Sequence, residues 1–203
     1  MMYLTRILVD KKTAISHRLA DSYAWHRAIW QVFPNREDSQ RDFLIRVENK
    51  GRFYEVLLLS PERPTRPGWG RWETRRIPER FLEFDRYRFG LRANPTVKRV
   101  VRNPSGERKR NGRRTAIYNT EELEQWLRRK AKPAGFEIER FEMDPPLSQW
   151  FRRKGKMGRH IGVDFRGILR VIDRPAFRLA FAKGVGPAKA FGFGMLMLEP
   201  IRS

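Results

Sequence analysis

The chain has 203 residues, which suits one large domain or two of about 100 residues each, and 44 basic against 23 acidic residues leave a formal charge of +21. This excess indicates a polyanionic partner, and because arginine dominates it, nucleic acid is favoured over a membrane surface. The absence of cysteine excludes disulfides and thiolate metal sites, and with only three histidines we expect neither a metal nor a cofactor. No apolar run of membrane-spanning length and no signal peptide is recognisable, so we expect a cytoplasmic protein.

Hydrophobic periodicity predicts six elements in the first half of the chain, in the order βαββαβ. They are a strand at 2–10, a helix at 19–33 that Pro34 ends, a hairpin of two strands around the turn Asn49–Gly51, a short helix at 78–84, and a fourth strand in which Tyr87, Phe89 and Leu91 alternate with arginines. These elements predict a first domain over residues 1–97.

The second half predicts a similar series after a basic linker at 98–114. It comprises a possible strand near 115–118, a helix from the capping box Asn119/Glu122 to Lys132, strands at 136–143 and 160–172, a helix capped by Asp173 and ended by Gly184, and a strand at 193–198. The pattern predicts a second βαββαβ domain at 115–203. We therefore expect an α+β protein of two tandem ferredoxin-like domains, a topology also used by RNA-recognition sheets.

A glycine-rich segment from Gly184 to Gly194 lies between the last helix and the last strand. Glycine lets backbone amides approach a phosphate closely, and a lysine in the segment adds positive charge. The segment is neither a Walker loop nor a dinucleotide fingerprint, because no GK[ST] follows and it leads into a strand. The alternative is a plain connection with a helix cap and a bulge. The residues predicted to hold an RNA backbone are Gly184, Gly186, Lys189, Gly192 and Gly194.

The first long helix has two contrasting faces. Its apolar face carries Trp25, Ala28, Ile29 and Val32, and its opposite face carries Tyr23, His26, Arg27 and Trp30. A solvated face would not normally combine aromatic, histidine and arginine side chains, so this face is expected to line a cleft. The alternative is a helix that packs against a neighbouring domain, with its histidine as a bystander.

Three segments of the chain, Tyr3–Arg6, Asp21–Arg27 and Gly184–Gly194, carry a resemblance to a known family. Together they resemble the CasE family of CRISPR repeat-processing endoribonucleases, over essentially the full length. The resemblance implies two ferredoxin-like domains, binding of CRISPR repeat RNA stem-loops, and metal-independent cleavage to 5′-hydroxyl and 2′,3′-cyclic phosphate ends. It also implies that the cleaved RNA is retained and that other protein subunits of the type I-E Cascade complex are partners.

Attack of a ribose 2′-hydroxyl on the adjacent phosphate needs two proton transfers and neutralisation of charge on the phosphorane. Imidazole suits either proton transfer near neutral pH, which makes His26 the catalytic candidate. Tyr23 can position the histidine or the phosphate, and Arg27 can bind RNA and stabilise the developing charge. Several related nucleases add a lysine, which this helix lacks, so the third group is left open. His17 and His160 are expected to be RNA contacts or surface residues.

A two-metal nuclease would need clustered carboxylates, whereas the candidates are isolated in sequence: Asp42, Asp85, Asp144 and Asp164. A basic run between the second and third strands of the second domain predicts a hairpin that grips an RNA duplex, the alternative being a solvated loop. Its RNA-binding candidates are Arg152, Arg153, Lys154, Lys156 and Arg159.

The leading hypothesis is a metal-independent endoribonuclease for CRISPR repeat hairpins. A non-catalytic RNA-binding scaffold subunit of a ribonucleoprotein would use the same basic surfaces and is the alternative. A sequence-neutral DNA-binding protein is a third hypothesis, which equal affinity for duplex DNA and an RNA hairpin at matched salt would support.

Overall fold

The computed structural model describes residues 1–33, 42–99, 113–153 and 155–202. Pro34, Lys154 and most of the predicted basic linker lie outside these ranges. The described chain is a mixed α+β fold with two antiparallel sheets, each with helices against it, and a separate two-stranded ribbon. None of the described helices has the length and apolar character needed to cross a membrane.

The first sheet has four strands in the order β2-β3-β1-β4. Its elements are β1 (Met2–Asp10), α1 (Lys11–Ser16), α2 (Ser22–Trp30), β2 (Leu44–Asn49), β3 (Phe53–Ser60) and β4 (Arg71–Ile77). This strand order is that of a ferredoxin-like unit, with a loop at 61–70 where a second helix would lie between β3 and β4. That loop holds three prolines, which remove backbone donors and disfavour helix. Helix α1 and strand β4 were not predicted.

Helix α2 is shorter than the predicted helix at 19–33. Arg18 has a positive φ of 55°, and Asp21 is extended at φ −144°, so the chain turns twice before the helix begins at Ser22. The Asp21 carboxylate caps the helix by accepting from the backbone N–H of Tyr23 and Ala24. The predicted apolar face is confirmed, since Trp25 and Ile29 are buried against the first sheet.

The second sheet has the order β11-β5-β10-β8, with β9 paired to the outer part of β10. Its strands are β5 (Arg86–Ala93), β8 (Phe136–Met143), β9 (Leu147–Arg153), β10 (Lys156–Val171) and β11 (Leu196–Pro200), and its helices are α3 (Thr120–Ala131) and α4 (Arg174–Lys183). The predicted caps are confirmed: Asn119 accepts from the N–H of Glu122, and Asp173 accepts from the N–H of Ala176. Two tandem ferredoxin-like units therefore form the fold.

Strand β5 was predicted as the fourth strand of the first domain, and this assignment is wrong. Its residues pair with β10 and β11, so it is the first strand of the second unit. Alternation predicted the strand itself, but its partner depends on contacts with residues more than 70 positions away. The pairing favours a boundary between the two units near residues 79–82 instead of at 98–114. A short helix was predicted at 78–84, and the structure has one turn of 3₁₀ helix there, Glu79–Leu82.

The strand expected near 115–118 is present as β7 (Arg113–Ala116), but it does not join the second sheet. It pairs with β6 (Thr96–Arg99) as a ribbon of its own. The ribbon flanks the undescribed part of the basic stretch. That stretch is thus inserted within the second unit, between its first strand and α3.

Two hydrophobic cores hold the molecule together. One lies between the first sheet and its helices around Ile7, Trp25 and Ile45, and the other lies between the second sheet and α3 and α4. Leu44 and Leu59 belong to the first sheet but pack into the second core. The two units therefore share buried apolar surface.

Candidate active site

The face of α2 that carries Tyr23 and His26 lies where the first unit meets the second. The helix contacts β9 and the 3₁₀ turn Lys189–Phe191, both from the second unit. Tyr23 and His26 are half-buried. The structure thus brings the predicted catalytic helix face to the glycine-rich segment and to the basic hairpin.

His26 is held among aromatic rings. Its imidazole centroid lies 5.6 Å from the ring of Phe43 and 5.8 Å from the ring of Trp30, and its Nδ1 atom is shielded from solvent. Rings packed on two sides limit rotation of the imidazole, which is what a proton-transferring group requires. Phe43 lies next to β2, so the first sheet sets the orientation of His26.

Tyr23, one turn before His26, contacts both the glycine-rich segment and the basic hairpin of the second unit. Its ring stacks on Phe191 of the glycine-rich segment at 6.3 Å, and the guanidinium carbon of Arg153 lies 5.8 Å from its ring centroid. Phe191 in turn packs at 4.5 Å from Phe151 and 4.6 Å from His160. A continuous aromatic cluster therefore joins the helix, the hairpin and the glycine-rich segment.

His160 belongs to this cluster and not to the solvent-exposed surface. Its ring stacks on Phe151 at 4.8 Å with an angle of 16° between the planes, and its Nε2 atom is buried. Burial lowers the pKa of His160 below its ordinary value of 6.5, because the neutral form is favoured in this apolar setting. The prediction of an RNA contact or a surface residue did not anticipate this position. Gly158 makes room for the stack, since a Cβ there would lie 2.3 Å from the Phe151 ring.

The predicted basic hairpin is confirmed as the antiparallel pair β9–β10 around Gly155. The four predicted basic residues that the structure describes, Arg152, Arg153, Lys156 and Arg159, are all exposed. Within the described chain none of these four side chains forms an ion pair with an acidic residue. Arg159 instead lies over the exposed ring of Trp150, with 5.5 Å between its guanidinium carbon and the centroid. Their charge is available to an external polyanion.

The glycine-rich segment is shaped by its own backbone bonds. The N–H of Gly184, Gly192 and Gly194 donates to Ala180 O, Lys189 O and Arg92 O, respectively, so these amides are already engaged. Gly192 and Gly194 are also buried, and a buried backbone does not favour direct contact with a phosphate. Gly186 and Lys189 are only half-buried.

Gly194 shows why glycine is needed in the segment. Its φ is +87°, and a Cβ there would lie 2.7 Å from Val185 O. The predicted strand at 193–198 consequently begins only at Leu196.

Arg27 directly follows His26 on α2, one turn after Tyr23. Its side chain is exposed and lines a surface depression with the loop around His17 and with Ala24 and Gln31. Its role in RNA binding and charge stabilisation stays a prediction.

Three of the four acidic residues considered for a metal site pair with arginine. Asp85 pairs with Arg174, Asp144 with Arg166, and Asp164 with both Arg46 and Arg92. Among the described residues, no three histidine or acidic side chains come together as a metal-binding group would.

A cavity of about 240 Å³ lies where α2, the hairpin, the first sheet and the glycine-rich segment meet. Asp21, Trp150 and Phe191 line it, and none of the three was predicted as a site residue. The position of Asp21 shortly before the apolar face of the helix is typical of a helix cap, so the sequence could have indicated that role. Nothing in the sequence indicates its contact with the hairpin. A depression of about 690 Å³ lies on the second sheet at Arg88. Neither Tyr23 nor His26 lines it, so we do not assign the active site to it.

Comparison with known proteins agrees with this architecture. The family model described as "CRISPR associated protein" matches residues 2–200. The chain is 34% identical to the CRISPR system Cascade subunit CasE of Escherichia coli and 28% identical to the CRISPR-associated endoribonuclease Cse3 of Thermus thermophilus, covering 98% of this chain and all of each relative.

Solved structures match over the same extent. The crystal structure of the CRISPR-associated protein Cas6e from Escherichia coli has a TM-score of 0.76 at 29% identity, covering 98% of this chain and 100% of that chain. A structure of CRISPR endoribonuclease Cse3 bound to 19 nt RNA has a TM-score of 0.79 at 25% identity, with the same coverage. The full-length agreement of sequence and fold shows that the chain belongs to the CasE family of CRISPR-associated proteins.

Proposed function

We propose that this protein is an endoribonuclease that cleaves the repeat stem-loop of precursor CRISPR RNA. Cleavage proceeds without a metal ion, by attack of the 2′-hydroxyl beside the scissile phosphate, and leaves a 5′-hydroxyl and a 2′,3′-cyclic phosphate. The Cse3 relative is named an endoribonuclease and is similar to this chain over its full length, which supports the proposal. Because the RNA is transcribed in the cytoplasm, the proposal includes that location.

The observation that carries the proposal is the contact between Tyr23 and Arg153. The guanidinium of Arg153, on the RNA-gripping hairpin, lies 5.8 Å from the ring of Tyr23, one turn from His26. A phosphate drawn to that cation, which has no acidic partner within the described chain, would arrive close to Tyr23 and about one helical turn from His26. Acid–base groups and a cation within reach of one phosphate are what this reaction needs.

His26 transfers a proton in the proposed reaction, and general acid–base catalysis of this kind contributes about 10² to 10⁴ in rate. The aromatic rings of Phe43 and Trp30 fix the plane of its imidazole. The hydroxyl of Tyr23 orients the phosphate or the histidine. Arg27 assists through its field from the same helix, and the guanidinium carbon of Arg153 lies 5.8 Å from the centroid of the Tyr23 ring.

The hairpin supplies the grip on the RNA stem in this proposal, through Arg152, Arg153, Lys154, Lys156 and Arg159. Gly186 and Lys189 follow the RNA backbone at the glycine-rich segment, and the other glycines act by shaping it. The hairpin cations that have no acidic partner within the described chain favour slow product release, so the protein keeps its cleaved RNA. The Escherichia coli relative is named a Cascade subunit, and we propose the same kind of protein partners here.

The test compares His26→Ala with His17→Ala on a repeat hairpin under single-turnover conditions. We expect His26→Ala to slow cleavage by at least about 10²-fold, because it removes the proton-transferring group. Its Kd should change by less than about threefold, since phosphate contacts dominate binding. His17→Ala, which removes the exposed histidine of the α1–α2 loop, should cleave at the wild-type rate.

Two further arms test the chemistry. Wild-type protein should cleave fully in EDTA and should leave uncut a hairpin with a 2′-deoxy sugar beside the scissile phosphate. Cleavage of the deoxy substrate would contradict the 2′-hydroxyl mechanism, and loss of cleavage in EDTA would contradict metal independence. A hairpin that stays uncut after prolonged incubation with wild-type protein would instead favour the non-catalytic scaffold.

A further inference from the structure

The carboxylate of Asp21 has two sets of partners that lie in different units of the molecule. Its Oδ1 accepts from the N–H of Tyr23 at 3.0 Å and of Ala24 at 2.9 Å, which caps α2. Its Oδ2 accepts from the N–H of Arg152 at 2.7 Å, across 131 residues of sequence. One side chain thus joins the start of the His26 helix to the backbone of the basic hairpin.

Strand β9, which contains Arg152, explains why the bond from Arg152 N–H to Asp21 forms. Strand β9 pairs only with β10 among the described strands, so it is an edge with backbone N–H groups that need acceptors elsewhere. Asp21 supplies a charged acceptor for one of them, and hydrogen bonds to charged groups are shorter and stronger than neutral ones. The bond is made to the backbone of Arg152, whose side chain is proposed to bind RNA, and Arg153 is the next residue along the strand.

We propose that Asp21 is a positioning residue that sets the register between the hairpin and the helix of Tyr23 and His26. RNA held by the hairpin is thereby delivered at the distance from His26 that proton transfer requires. The inference rests on the proposed endoribonuclease activity. Asp21 touches neither the scissile phosphate nor the imidazole in this scheme, so its effect is on geometry alone.

The aromatic contacts cannot set this register by themselves. The stack of Tyr23 on Phe191 and the approach of Arg153 to Tyr23 involve ring faces, which tolerate sliding. A hydrogen bond of 2.7 Å to a backbone atom is directional and fixes one point of β9. Misplacement by about 1 Å far from the chemistry can cost about 10²-fold in rate.

Two substitutions separate the cap from the bridge. Asp21→Asn retains a single side-chain oxygen, which we expect to keep the two-donor cap of α2 and to lose the bridge, because asparagine caps helices as well as aspartate does. Asp21→Ser also caps, but its side chain is too short to bridge. The matched control is Asp173→Asn, because Asp173 caps α4 by accepting from the N–H of Ala176.

Single-turnover cleavage rate at saturating protein, Kd for the repeat hairpin and Tm are measured for the full chain of each variant. We expect both Asp21 variants to cleave roughly tenfold more slowly than wild type. Their Kd should stay within about threefold, because the phosphate contacts are retained. Their Tm should match that of Asp173→Asn within about 4 °C, since each substitution preserves a cap.

Each outcome decides between the ideas. Wild-type cleavage rates in both Asp21 variants overturn the inference and leave the endoribonuclease intact. A lower Tm and weaker binding with an unchanged rate at saturation also overturn it, because a purely structural role predicts that pattern. Uncut RNA with wild-type protein, or full cleavage by His26→Ala, overturns the proposed active site itself and the inference with it.

Discussion

The hairpin β9–β10 and the junction between the two sheets are both rich in arginine, but their arginines have different surroundings. At the junction, Arg46 and Arg92 bind Glu48 and Asp164, with N–O distances of 2.8 to 3.1 Å and side chains 16–24% exposed. On the hairpin, Arg152, Arg153 and Arg159 are exposed, and none of them pairs with an acidic residue within the described chain. The junction is thus neutral internally, whereas the hairpin presents its charge outward.

The difference shows that a high positive charge has two separate uses in this chain. Burial by itself would lower the pKa of Arg92, but the hydrogen bonds and charges of Asp164 and Glu48 outweigh it and raise that pKa. Arg92 also donates to Val47 O at 3.2 Å, so it ties the second sheet to the backbone of the first. Junction arginines therefore support the fold, while the charge of the hairpin arginines stays available to an external polyanion.

Replacement of a junction arginine should have the largest effect on stability. Arg92→Met leaves Asp164 and Glu48 partly buried with only Arg46 as counter-charge, and we expect the free energy of unfolding to fall by about 2 kcal/mol. Arg159→Met, on the exposed hairpin, should change it by less than about 0.5 kcal/mol. Urea unfolding of both variants measures this, and equal losses would remove the distinction between the two regions.

Neutralisation of hairpin cations should have the next largest effect, and it should appear in binding. Lys156→Gln with Arg159→Gln should weaken binding of the repeat hairpin about tenfold and lower the slope of log K against log salt by about 2. The control pair is Arg166→Gln with Arg170→Gln, which removes arginines already paired with Asp144 and Glu137. If the slope of log K against log salt fell equally in the control pair, ion pairing within the protein would not decide which arginines bind RNA.

The smallest effect concerns the pH dependence of the two regions. Burial depresses the pKa of His160, so the stability that its neutral form contributes is present above pH 6.5 and is lost as the pH falls below that value. Between pH 7.5 and 5.5, the Tm of His160→Phe should fall by about 1 to 2 °C less than the Tm of wild type. The same change of Tm with pH in wild type and in His160→Phe would contradict a depressed pKa of His160.

Much of the secondary structure and part of the site could be predicted because their signals are local. The apolar stripe of α2 through Trp25 and Ile29, and the caps Asn119 and Asp173, depend on residues within one or two turns. The same is true of Tyr23 beside His26 and of the run of basic residues that became the hairpin. The resemblance of three short segments to the CasE family was confirmed by similarity over the full length.

Other features had no local signal. Alternation identified β5 as a strand but assigned it to the wrong sheet. The glycines at 192 and 194 looked like amide donors for phosphate, but their amides donate to the backbone. For β5 and for Gly194, whose amide donates to Arg92 O, a partner far away in the chain decided the outcome.

By itself, the sequence determined that this is a basic α+β protein of two ferredoxin-like units with a histidine on its first long helix, since periodicity, capping and charge act over a few residues. Only the tertiary structure decided which cations are neutralised, which strand starts the second unit, and that Asp21 links the helix to Arg152. Several of those outcomes depend on hydrogen bonds and burial between residues far apart in the sequence, 131 positions apart for Asp21 and Arg152, whose partners a local pattern does not specify.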